Sequence, residues 1–104
     1  MSEEMVRRRE PRGQLAMPGT TRDGTVSRCS VAVTDLSTHG CRVIFANDDL
    51  SHAGQLVISL DNLAPQRAQV RWRNRLTAGL EFEQPLYLPV VDHLLSKWKT
   101  GRQG

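Results

Sequence analysis

Arginines near the N-terminus are the residues of this chain whose type and spacing could do the most specific chemistry. Arg8 and Arg12 stand four residues apart, and Arg7 and Arg9 flank the first of them. A guanidinium is a planar fork of N–H donors that matches the O6 and N7 edge of guanine or two oxygens of a phosphate. Two such forks at this spacing can hold the base and the phosphate of a guanine nucleotide.

A polar motif, Asp35-x-Ser37-x-x-Gly40, offers the complementary chemistry, with twenty-two residues between it and the second of these arginines. A carboxylate accepts hydrogen bonds, a serine hydroxyl donates and accepts them, and glycine permits a positive φ or a close approach to a flat ligand. Residues 31–34 before the motif are β-rich, and residues 41–45 after it alternate between apolar and polar side chains. The pattern predicts a ligand-binding turn between two strands.

The arginine pair and the polar motif together resemble the two-part signature of PilZ domains, the bacterial receptors for cyclic di-GMP. The resemblance covers roughly residues 6–100. It is strengthened by the sequence from Arg71 to Phe82, in which a strand bearing Trp72 leads into a Gly79-aliphatic-x-Phe strand, as in the closing hairpin of the family. The resemblance implies a small antiparallel β-barrel, with the arginine segment as a flexible arm that wraps the dinucleotide against the barrel.

The resemblance also implies the ligand contacts. They are Arg8, Arg12, Asp35, Ser37 and Gly40, with Arg7, Arg9, His39 and Trp72 as candidate further contacts. Arg7 lies where family members differ in whether one ligand or an intercalated pair binds. For Trp72 two interpretations stay open, since the ring could stack on a guanine base or fill the end of the barrel.

The polar motif occurs a second time, as Asp49-x-Ser51-x-x-Gly54. This copy lies farther from the arginines, at a place where the family usually has only a polar connection before the next strand. The first copy is therefore the preferred ligand turn. For either copy, an ordinary turn held by bonds from side chains to the backbone is the alternative.

Periodicity along the rest of the chain predicts a mainly β fold with one helix. Strands are expected at 14–17, 25–34, 41–45, 55–60, 68–74 and 77–83, with turn residues at 18–24 ending the first. Six short strands favour a closed barrel because closure removes exposed edges. Val91, Leu94, Leu95 and Trp98 fall at i, i+3, i+4 and i+7, which predicts an amphipathic helix over about 89–99 that caps the barrel. Residues 1–12 are expected to form a flexible arm, and residues 13–104 the barrel with its helix.

Length and charge limit the function classes. A chain of 104 residues suits one domain, and a net charge of +3 with a pI near 9.4 suits an anionic partner. No apolar segment approaches the ~20 residues that span a bilayer, and the N-terminus lacks the apolar core of a secretion signal, so a cytoplasmic protein without membrane insertion is expected. Cys29 and Cys41 are then expected to be buried free thiols.

Enzyme chemistry finds little support in the sequence. There is no Gly-x-Ser-x-Gly elbow and no glycine-rich phosphate loop with lysine, and the three histidines share no metal-ligand spacing. We therefore expect no catalysis, cofactor or metal. The first hypothesis is a cyclic di-GMP receptor that changes conformation and signals to an unidentified partner protein in motility, secretion or polysaccharide control.

Two alternatives belong to other classes. One is a PilZ-fold interaction module that does not bind nucleotide, and retention of both motif halves argues against it. The other is a small RNA-binding barrel, which an aromatic content of 5% disfavours because base stacking needs aromatic side chains.

Overall fold

A closed six-stranded barrel forms the body of the protein. The computed structural model describes residues 12–23, 28–46 and 54–99. These residues form β1 (Arg12–Arg22), β2 (Arg28–Ser37), β3 (Gly40–Phe45), β4 (Gln55–Leu60), β5 (Gln66–Asn74), β6 (Thr77–Phe82) and helix α1 (Leu88–Lys97). The strands are antiparallel, and the order β1-β2-β3-β6-β5-β4 closes on itself through pairing of β4 with β1. The predicted mainly β fold, with six strands and a C-terminal helix, is confirmed.

Alternating side chains fill the inside of the barrel. In β3, Cys41, Val43 and Phe45 are buried whereas Arg42 and Ile44 are exposed. Inward residues of all six strands form one core cluster together with residues of α1. Burying one such aliphatic side chain contributes about 1.5–3 kcal/mol, so the core holds the strands in register. Both cysteines are buried and free, as predicted.

The first strand is longer than the sequence predicted. A turn was expected from Pro18 onward, but β1 continues through that proline to Arg22. The N–H of Ala16 is donated to the carbonyl oxygen of Trp98 at 3.0 Å, not to β2. Pro18 lies opposite Ala32 of β2, and pairing with β4 begins only at Gly19, one residue further on. The predicted turn is wrong: Pro18 lies within β1, at a position that is paired with β2 but not yet with β4, where a residue without an N–H is tolerated.

Helix α1 packs against the barrel through the predicted face. Val91 and Leu94 are buried, and Leu95 and Trp98 pack partly buried against the same core. Lys97 near the helix end forms an ion pair of 3.1 Å between its Nζ and Oδ2 of Asp61, in the turn after β4. The helix is thus attached to the barrel at both its apolar face and its C-terminal end. Within the described part of the chain, no helix is long and apolar enough to cross a membrane.

Candidate functional site

The polar motif lies mostly on strands and not in a loop. Ser37 is the last residue of β2, Asp35 lies two residues before it, and Gly40 is the first residue of β3. Only Thr38 and His39 connect the two strands. The predicted turn is therefore a tight hairpin, and sheet pairing on both sides fixes the positions of its polar groups.

Ser37 holds this hairpin together. Its Oγ accepts the backbone N–H of His39 at 3.2 Å and that of Gly40 at 3.3 Å, and it lies 3.4 Å from the Gly40 carbonyl oxygen, to which it can donate. Such bonds from a side chain to the backbone stabilise a turn whose N–H groups are not paired with another strand. The serine thus has a structural task in the hairpin, and its contact with ligand stays a prediction.

Gly40 is required by close packing of two strands. A Cβ at this position would overlap the carbonyl oxygen of Leu80 in β6, and the φ of Gly40 lies outside the left-handed region. The sequence offered two reasons for a glycine here, a positive φ or close approach to a flat ligand. The positive φ is wrong, and the group that approaches Gly40 closely is the backbone of β6. Gly54, the last residue of the second motif copy, has no atom within 4 Å of such a Cβ. The two copies of the motif are therefore structurally different at their glycines.

Strand pairing brings the end of the arginine segment to the motif. Arg12, the first residue of β1, pairs with Ser37, and Gln14 pairs with Asp35. Arg7, Arg8 and Arg9 lie outside the described residues, as do the aspartate and serine of the second motif copy. The register therefore places the backbone of Arg12 directly beside the last residue of β2.

A surface pocket of about 390 Å³ opens next to the hairpin. The residues that line it include Asp35, Ser37, His39, Gly40, Arg42, Arg71, Trp72, Gly79 and Glu81. Four strands contribute to it, namely β2, β3, β5 and β6. The predicted contacts Asp35, Ser37, Gly40, His39 and Trp72 are thus brought together on one wall of the barrel.

Trp72 faces this pocket because β5 contains a bulge. The pairing of β5 with β6 shifts register between Val70 and Trp72, so that Arg71 and Trp72 are both exposed. Strict alternation would have put Trp72 on the inner face with Ala68. Its side chain is 46% exposed and packs on Gly79, where a Cβ would overlap the indole. The interpretation that Trp72 fills the barrel end is wrong.

The family comparison agrees with this arrangement. The family model of the PilZ domain matches residues 6–95. This chain belongs to the PilZ family. PilZ domains are generally receptors for cyclic di-GMP and serve as receptor or adaptor modules. A search of curated proteins finds no match.

Charged groups of this PilZ domain surround the pocket without neutralising Asp35. Arg71 Nε and Glu81 Oε1 are 3.2 Å apart, and Arg42 Nε donates to Thr34 Oγ1 at 3.4 Å. The ion pair is solvent-exposed on both sides, so it contributes at most about 1 kcal/mol and can rearrange around a ligand. The Asp35 carboxylate makes no hydrogen bond or ion pair with another residue in the described ranges.

Cys41 lies just beneath the pocket and is not a nucleophile. Burial, together with the smaller effect of the negative charge of Asp35, raises the pKa of its thiol to about 12. The thiolate is the reactive form of cysteine, so this side chain stays protonated and inert at neutral pH. Across residues 12–23, 28–46 and 54–99, no cluster of His, Cys, Asp and Glu could hold a metal ion.

Sequence reasoning missed several residues of the pocket. Arg42 and Glu81 stand on the outward faces of β3 and β6, and Gly79 gives Trp72 its place. Alternation indicates that Arg42 and Glu81 face outward. Only the pairing of β3 with β6, two strands far apart in sequence, brings them to one place.

Proposed function

We propose that this PilZ domain is a cyclic di-GMP receptor whose ligand binds on the wall formed by the β2–β3 hairpin and strands β5 and β6. The pairing of Arg12 with Ser37 is the observation that supports the proposal most. It joins the arginine segment to the polar motif, and the pocket containing Trp72 lies on the same hairpin. Two halves of a signature that are distant in sequence are thereby adjacent in space.

Each group of the proposed site suits one part of a guanine dinucleotide. Arg8 and Arg12 supply forks for the guanine O6 and N7 edge and for phosphate oxygens. The carboxylate of Asp35 is free to accept the N–H groups of a guanine, and the exposed indole of Trp72 offers a stacking surface. Stacking of one base on an aromatic side chain is worth about 1–3 kcal/mol. His39, Arg7 and Arg9 are proposed as additional contacts.

The output of the receptor is proposed to pass through the hairpin to α1. The Thr38 carbonyl accepts the N–H of Leu86 and the His39 carbonyl accepts that of Phe82, each at 2.8 Å. This connection between β6 and α1 ends with Tyr87, which is 76% exposed, and α1 begins with Leu88, which is 47% exposed. A ligand that binds the arginine segment and tightens the hairpin would alter this surface. A cytoplasmic partner protein in motility, secretion or polysaccharide control would read the change.

Fluorescence titration tests whether Trp72 lies at the ligand site. Cyclic di-GMP should quench the emission of the wild type, because a guanine stacked on the exposed indole is in direct contact with the excited ring and can transfer an electron to it. Trp72→Phe should lose the quenching, and Trp72→Ala should also weaken binding by about 1–3 kcal/mol. Trp98→Phe is the matched control, since Trp98 packs against the core, and it should keep the quenching. Quenching that persists in Trp72→Phe would place the ligand elsewhere.

Hydrogen exchange tests the proposed output. Saturating cyclic di-GMP should slow exchange of the Leu86 and Phe82 amides, because both are donated to carbonyls of the hairpin. Amides in β4, such as that of Ile58, serve as the internal control and should keep their rates. Protection confined to the N-terminal arm would contradict transmission to α1.

A PilZ-fold interaction module without nucleotide binding is the second candidate. The exposed apolar side chains of Tyr87 and Leu88 favour it, because such a surface needs no ligand to attract a protein. The same fluorescence titration separates the two candidates. A folded wild type whose fluorescence does not change with cyclic di-GMP or with any other guanine nucleotide would favour the interaction module.

A further inference from the structure

A second group of polar side chains lies at the opposite end of β1 from the motif. The strand begins at Arg12, beside Ser37, and ends at Arg22, beside Arg28. Ten residues of extended chain span roughly 30 Å. Chemistry at the Arg22 end is therefore separate from the cyclic di-GMP site.

Three adjacent strands present these side chains on the outer face. Arg22 of β1 pairs with Arg28 of β2, and Thr20 pairs with Ser30 on that side and with Ser59 of β4 on the other. Cross-strand partners on one face have Cβ atoms about 4.5–5.5 Å apart. The result is a depression of about 140 Å³ whose polar lining includes Thr20, Arg22, Arg28 and Ser59.

Two arginines directly opposite each other are unfavourable without an anion between them. Like charges at paired positions of a sheet repel. Both guanidinium groups are exposed, and neither has a hydrogen-bond or ion-pair partner in the described part of the chain. Asp23, the next residue along the chain, lines a different pocket with Gln55 and Arg67. The paired arginines are therefore available to a ligand.

We propose that this depression is a phosphate-binding site, with Arg22 and Arg28 as charged forks and the hydroxyls of Thr20 and Ser59 as neutral donors. A tetrahedral phosphate offers oxygens in several directions, so both forks and a hydroxyl can bind it together. The volume is several times the ~30 Å³ share of one water molecule, which leaves room for one phosphoryl group. The phosphoryl group comes either from a soluble phosphate compound or from the headgroup of an anionic lipid.

Backbone NMR titration with inorganic phosphate tests the site, with sodium chloride at equal ionic strength as the reference. Saturable shifts are expected at Thr20, Arg22, Arg28 and Ser59 in the wild type. The double variant Arg22→Gln/Arg28→Gln should bind at least tenfold more weakly. Arg75→Gln, which removes one positive charge at the turn between β5 and β6, should bind like the wild type. Equal binding by the double variant, or equal weakening by Arg75→Gln, would overturn the proposal.

Vesicle flotation distinguishes the two sources of phosphate. Flotation with phosphatidylglycerol vesicles but not with phosphatidylcholine vesicles, lost in the double variant, assigns the site to a lipid headgroup. Phosphate binding that depends on Arg22 and Arg28, without flotation, assigns it to a soluble compound. If neither phosphate binding nor flotation depends on these arginines, the site does not exist. All of these results are independent of cyclic di-GMP binding.

Discussion

Replacing Asp35 by alanine is expected to weaken cyclic di-GMP binding by roughly tenfold to a hundredfold. The carboxylate lines the pocket and makes no hydrogen bond or ion pair within the described ranges, so its acceptor capacity is available to the ligand. A hydrogen bond to a charged group is worth about 1.5–3 kcal/mol, which corresponds to this loss of affinity. Calorimetric titration of both proteins gives the two dissociation constants directly.

Asp49→Ala is the matched control, because Asp49 occupies the same place in the second copy of the motif. It should bind cyclic di-GMP like the wild type. Asp35→Ala should also keep the thermal stability of the wild type, since no described residue depends on its carboxylate for a hydrogen bond. Loss of binding in Asp49→Ala with normal binding in Asp35→Ala would show that the second copy is the ligand turn.

Replacing Gly40 by alanine is expected to lower the free energy of unfolding by about 2 kcal/mol, because the added methyl overlaps the Leu80 carbonyl oxygen of β6. This neighbour is backbone, so relief requires β3 to move away from β6. The motion would displace Asp35 and Ser37 on the same hairpin and weaken ligand binding as well. Urea denaturation measures the stability change, and a titration measures the binding change.

Gly54→Ala makes the same chemical change at the corresponding glycine of the second copy. An added methyl there meets no atom within 4 Å, so the free energy of unfolding should stay within about 0.5 kcal/mol of the wild type. A Gly40→Ala protein as stable as Gly54→Ala would contradict the close packing of β3 on β6.

The strands of the barrel and its helix could be predicted from the sequence because both depend on local periodicity. Alternation in residues 41–45 marks β3, and the spacing of Val91, Leu94 and Leu95 marks the apolar face of α1. The length of β1 could not be predicted in this way. Pro18 indicates a turn when read locally, and its place in a strand depends on which neighbour pairs with that side of β1.

For the candidate site, the sequence predicted the residue types but not their arrangement. Asp35, Ser37 and Gly40 could be selected by spacing, but the use of the Ser37 hydroxyl within the hairpin depends on its geometry. The outward position of Trp72 follows from one bulge, and a bulge reverses the face of a residue without a clear signal in its own sequence. The positions of the other pocket residues depend on the register between strands that are distant in sequence.

Calorimetric titration of the purified chain with cyclic di-GMP, beside GTP and cyclic di-AMP, tests the receptor proposal most directly. Saturable heat with cyclic di-GMP alone, abolished in Arg8→Ala, is the predicted result, because the arginine fork and the motif must both contact the ligand. Circular dichroism of each protein before titration establishes that it is folded. A folded wild type that gives no heat with cyclic di-GMP, or equal heat with all three nucleotides, would contradict the proposal.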